Sequence, residues 1–118
     1  MSTETHRTGT DQELVAVVNT ETVPGRETTA ALGIARGNVV RARNVGRDIT
    51  QGLRNLAGGE LKAYSTLLAD ARDQAIERME ADAVAMGADA VVNVRMETSE
   101  IIQGGSEVIA YGTAVKLD

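Results

Sequence analysis

The chain has 118 residues, enough for one domain, and carries 12 Lys and Arg against 17 Asp and Glu. The resulting net charge of −5 disfavours non-specific binding to nucleic acid or to an anionic membrane. There is no cysteine, which excludes disulfides, zinc–thiolate sites, iron–sulfur clusters and cysteine nucleophiles.

Residues 1–13 are polar and rich in Thr, and are expected to form a flexible tail ahead of a single domain over residues 14–118. Leu14, Val15, Ala16, Val17 and Val18 form a short β-branched run that predicts a first strand. Pro24-Gly25 is a turn signal. A second strand is expected over residues 28–40, where Leu32 and Ile34 alternate. Gly33 and Gly37 within it imply a bend, a bulge or a close backbone approach. Two strands with a turn at Gly37-Asn38 is the alternative reading. Ile49, Leu53 and Leu56 fall on one helical face, with Asn44 as a candidate cap and Gly58-Gly59 as the end.

The clearest element is a helix over residues 60–86. Leu61, Tyr64, Leu68, Ala71, Ala75, Met79, Ala83 and Met86 recur at steps of three and four and define its apolar stripe. Gly87 sits where a left-handed C-terminal cap belongs. In the strand expected over residues 89–98, Ala90, Val92, Val94 and Met96 alternate with Asn93, Arg95 and Glu97, so the first set should be buried. A turn at Gln103-Gly104-Gly105-Ser106 leads to a last strand over residues 108–117, with Ile109, Tyr111, Val115 and Leu117 on one face. The order reads β-β-α-α-β-β: an α+β fold in which one long helix packs across an antiparallel sheet, plus a short helix.

The apolar residues are small. There are 17 Ala and 13 Val against 8 Leu and 6 Ile, with no Phe, no Trp and only Tyr64 and Tyr111 as aromatics. Such a core removes little area from water, at about 25 cal/mol per Å², against ordering costs of roughly 1–2 kcal/mol per residue. Self-association supplies the missing burial.

Charge is unevenly placed. Residues 22–57 hold six basic and two acidic residues, and the remainder holds six and fifteen. The reading preferred here is head-to-tail complementarity between copies, which generates a ring when the rotation closes. Ordinary solvated charge and a ligand patch are the alternatives.

Candidate sites are few. Arg36, Arg41, Arg43 and Arg47 could cradle a small anion, since guanidinium matches phosphate bidentately. Asp70, Asp73, Glu77 and Glu80 on the long helix could hold a hard cation, although a solvated acidic face, with Lys62, Arg72 and Arg78 to pair it, is the blander reading. Met79, Met86 and Met96 could be thioether ligands but are expected as core fillers. His6, the one histidine, lies in the tail, so a histidine triad is excluded. Tyr64 is expected against the helix stripe and Tyr111 in the sheet. Neither glycine-rich phosphate-loop pattern is present.

Taken together, Pro24-Gly25-Arg26, Leu32-Gly33-Ile34-Ala35-Arg36-Gly37, Arg47-Asp48-Ile49, Gly58-Gly59 before Tyr64, the run from Met86-Gly87-Ala88-Asp89 to Val92, and Tyr111-Gly112-Thr113-Ala114-Val115 resemble the YbjQ-like family of bacterial and archaeal proteins. The resemblance spans roughly residues 14–117. It implies a dodecin-like α+β fold, subunits joined edge to edge in a pentameric ring, and no known enzyme activity. The family also carries a heavy-metal-binding label, which a chain without cysteine cannot serve through thiolates. The expected protein is therefore a cytoplasmic homo-oligomer acting as an assembly scaffold, with no cofactor, no catalytic residues, no nucleic-acid partner and no membrane span. A small-anion or metal-binding module with its ligand at subunit junctions is the alternative.

Overall fold

The computed structural model describes residues 13–42, 59–102 and 105–118. The helix expected around Ile49–Leu56, most of the tail and the centre of the Gln103-Gly104 turn lie outside the described residues. The elements are β1 (Ala16–Val17), β2 (Thr28–Ala42), α1 (Gly59–Ala85), β3 (Ala90–Ile102) and β4 (Gly105–Leu117). They form one sheet in the order β1-β3-β4-β2.

The antiparallel expectation holds for β2 with β4 and for β3 with β4, and fails for β1, which pairs parallel to β3. The sheet is mixed because the long crossover through β2 and α1 returns the chain in the direction of β1. β2 is a single strand. Its register against β4 runs unbroken from Gly33 opposite Ala114 to Ala42 opposite Gly105, so there is no turn at Gly37-Asn38.

Gly37 instead lets α1 sit on the strand. A Cβ there would fall on Met79 N and Ala75 O and lie 2.6 Å from Arg78 Cβ. The helix meets this surface with Ala71, Ala75, Met79 and Ala83, all fully buried. Short side chains bring the helix axis close to the sheet, where Ala35, Val39, Val91, Val108, Ala110 and Ala114 complete the core. Gly87, at φ 85°, ends the helix. Gly87 N–H donates to Val84 O and Ala88 N–H to Ala83 O, a Schellman cap that satisfies two terminal carbonyls.

β3 departs from simple alternation. Asn93 takes φ 56°, and the register against β4 shifts between Val92 and Arg95, a bulge opposite Gly112. Before the bulge, Ala90 and Val92 face away from α1, in a second cluster with Val23, Val115 and Leu117. After it, Val94 packs on the α1 side. The expectation that Ala90, Val92, Val94 and Met96 share one buried face is thus corrected: one extra residue moves Val94 and Met96 across the sheet. Met96 pairs with Ala110, but α1 lies over β2 and β4 rather than over it, and Met96 is 39% exposed. It is not a core filler.

Candidate functional site

Three surfaces of the sheet stand out. The first is the far edge of β3. The β1 segment bonds to β3 through Asn93 N–H to Thr20 O and Val94 N–H to Val18 O. Beyond Val94, residues Arg95 to Ile102 pair with β4 on one side, and among the described residues no strand pairs with the other.

The second is the outer edge of β2, which α1 partly covers. Asp82 Oδ2 accepts the Arg36 N–H at 3.0 Å, and Arg78 Nη1 donates to Asn38 O at 2.7 Å. These side chains occupy the main-chain groups that another strand would use.

The third is the sheet face away from α1. Ala35, Gly37 and Val39 point to the helix and are buried, so Ile34, Arg36, Asn38 and Val40 point the other way and are exposed. Ile34 is 62% exposed and Val40 52%. On this face Arg36 and Arg95 are both direct cross-strand partners of Tyr111. Tyr111 Oη donates to Glu97 Oε2 at 2.9 Å, and this bond to a carboxylate raises the phenol pKa above its ordinary value of 10.0. Arg95 Nη1 donates to Val94 O at 3.1 Å, and Asn38 Nδ2 to Glu107 Oε2 at 3.0 Å.

Of the arginines expected to gather, Arg36 and Arg41 lie on opposite faces of β2, because they stand an odd number of positions apart along a regular stretch. Arg43 and Arg47 lie outside the described residues. Asp70, Asp73 and Glu77 are exposed along α1 and Glu80 is half-buried. Among the described residues, no three carboxylate or imidazole groups converge to hold a metal ion. Arg78 turns to β2 rather than to this acidic row. Met79 is buried and Met86 partly so, while His6 and the Tyr64 side chain lie outside the described residues.

Sequence reading missed Arg95 as the neighbour of Tyr111, and Asp82 as the residue that covers an edge. Both relationships join residues distant in the chain, and no local spacing announces them. No helix among the described residues is long and apolar enough to cross a membrane.

A mixed four-stranded sheet with one long helix across it defines a small α+β protein with one long open edge among the described residues. A crystal structure of a protein of unknown function from the DUF74 family of Pediococcus pentosaceus shares this fold, with a TM-score of 0.58 at 13% identity, covering 86% of this chain and 96% of that one. The YbjQ_1 family model, described as "Putative heavy-metal-binding", matches residues 15–118. The chain belongs to this family. It is 75% identical over 100 residues to a UPF0145 protein of Halobacterium salinarum, covering 85% of this chain and 96% of the relative. It is 52% identical over 101 residues to a UPF0145 protein of Methanosarcina acetivorans, covering 86% and 95%. Neither relative's name states an activity.

Proposed function

We propose that the protein is the subunit of a homo-oligomeric, pentameric ring with dodecin-like packing, and that its role is assembly or scaffolding rather than catalysis. The observation that carries this reading is the edge of β3 from Arg95 to Ile102, which has no partner strand among the described residues. A long bare edge templates association with another chain, and proteins that remain monomeric blunt it. The exposed side chains of Ile34 and Val40 and the alanine-rich core support the same reading, because both gain burial from a second copy. Native mass spectrometry at micromolar concentration tests it. The expected result is one closed assembly at the pentamer mass, and a clean monomer overturns the proposal.

A second reading places a small anion or a metal at the subunit junctions. It is favoured by Arg36 and Arg95 flanking Tyr111 on the open sheet face and by the family's metal-binding description. Thermal shift against phosphate, nucleotides and divalent metals checks it. A ligand held by the folded assembly raises Tm with concentration, and a flat response to the whole panel counts against it.

A further inference from the structure

The sheet face away from α1 is covered at one end, where Val23 packs with Ala90, Val92, Val115 and Leu117. Beyond that end its side chains stand in rows across the strands. One row is basic: Arg36, Tyr111 and Arg95. The next holds Asn38, Ile109 and Glu97, and the one after it Val40, Glu107 and Ser99. Ile34, opposite Thr113, flanks the basic row on its other side. Tyr111 and Asn38 each hold a carboxylate oxygen in place, Oε2 of Glu97 and Oε2 of Glu107.

Two arginines and two glutamates leave this patch without net charge, yet the signs are segregated along the strands. A uniformly anionic or cationic partner would meet like charge in one half of it. A partner carrying the same rows in reverse order would not. A second copy is that partner when it is turned about a two-fold axis running across the strands, between the Arg36 row and the Asn38 row. The rotation sets Arg95 against Glu97, Tyr111 against Ile109 and Ile34 against Val40, and makes each contact twice. It also buries Ile34 and Val40, which are 62% and 52% exposed in the single chain.

We infer that this face is a self-complementary contact through which two copies stack sheet on sheet, with Arg95 of each paired to Glu97 of the other. Face-to-face sheets lie about 10 Å apart, within reach of side chains of this length. A contact made by the same patch on both partners closes at two. The inference is independent of the ring reading, because it uses the face of the sheet and not its edge. It doubles whatever the edges assemble: rings pair, and single chains dimerise. Polar side chains outnumber apolar ones on the patch, so the doubling forms at higher concentration than a strand ladder does.

The test is native mass spectrometry of the full chain from micromolar concentration upward, with circular dichroism confirming the fold. The wild-type copy number should double as concentration rises. Arg95→Glu and Glu97→Arg should each weaken the doubling about tenfold or more. An equimolar mixture of the two variants should recover it, because one then presents only carboxylates at these positions and the other only guanidinium groups. Mixing cannot repair damage inside either chain, so recovery assigns the pair to the contact. Wild-type protein that never doubles overturns the contact, as does doubling that both variants retain or that the mixture fails to recover. Should either reversal unfold the chain, Val40→Glu decides instead. It sets a carboxylate against Ile34 of the other copy and should abolish the doubling, and unchanged doubling overturns the contact. The species that doubles, ring or single chain, judges the ring reading separately.

Discussion

The carboxylate of Asp82, on α1, accepts the backbone N–H of Arg36, on the outer edge of β2, at 3.0 Å. One turn earlier on the same helix, Arg78 donates to Asn38 O at 2.7 Å. A strand edge is thus partly closed by the helix that packs on its face, which limits where a second chain can add to β2. Replacing Asp82 with Ala should cost about 1–2 kcal/mol, the range for a hydrogen bond to a charged acceptor reduced for its partial exposure. It should also raise the rate of aggregation. Urea denaturation and light scattering check the two effects, and unchanged values in both would mean that water replaces the carboxylate without loss.

Gly37 is the position where β2 and α1 come closest. Gly37→Ala puts a methyl group onto Met79 N and Ala75 O, both backbone atoms of a rigid helix, so α1 must move. The expected loss is about 3 kcal/mol, at the upper end of overpacking costs. The comparison is Met79→Ala, which empties a fully buried site and should cost about 2–5 kcal/mol through lost transfer energy plus a cavity. Chemical denaturation of both variants measures them. The Gly37 effect should be partly relieved in a Gly37→Ala, Met79→Ala double variant only if the helix can shift into the space.

The periodic elements were legible from residue order alone. Ala71, Ala75, Met79 and Ala83 announce a helix face by spacing, and the helix end shows in Gly87, whose missing Cβ permits the left-handed turn. Gly37 was readable as a place of close approach, although not as the choice between that and a turn. The exchange of faces in β3 was not readable, because Val92-Asn93-Val94 alternates as an unbulged strand would. The bulge lies opposite Gly112 on the neighbouring strand, where a Cβ would lie 2.7 Å from Val91 Cγ1 and 2.9 Å from Val92 O. The separation of Arg36 from Arg41 was not readable for a related reason. Nearness in sequence put Arg36 with Arg41, while strand pleating separates them and pairing brings Arg36 and Arg95 to either side of Tyr111.

Asp89 joins the start of β3 to the end of β4. Its Oδ2 accepts Leu117 N–H at 2.8 Å, and Lys116 Nζ lies 3.4 Å from Oδ1. The Leu117 amide foremost, then Lys116, holds the Asp89 carboxyl below its ordinary value of 3.8. A carboxylate depressed in the folded state contributes stability that is fully present above its unfolded pKa and is lost as pH falls through the folded value. Stability should therefore decline as pH drops below about 4, and Asp89→Asn should flatten that acid limb while lowering stability at neutral pH. Thermal unfolding followed from pH 7 downward distinguishes the two chains. Parallel curves for wild type and variant would remove Asp89 from the account.

Asn93 holds φ 56° at the bulge, with its N–H donated to Thr20 O at 2.9 Å. Asn tolerates the left-handed region better than most residues, and a β-branched side chain tolerates it poorly. Asn93→Val should therefore destabilise by about 1–2 kcal/mol, despite the higher strand propensity of Val. Asn93→Gly should be close to neutral, because it keeps the backbone conformation and loses only a side chain. The variant also probes the faces of β3. If Val at this position regularised the strand, Val94 and Met96 would return to the side away from α1, and the Val94 contact with the core would be lost. Denaturation midpoints rank the three chains, and hydrogen exchange at Val94 N–H, bonded to Val18 O at 3.0 Å, reports whether the bulge persists. A Val variant as stable as wild type with Val94 still protected would show that the left-handed turn at Asn93 carries no strain.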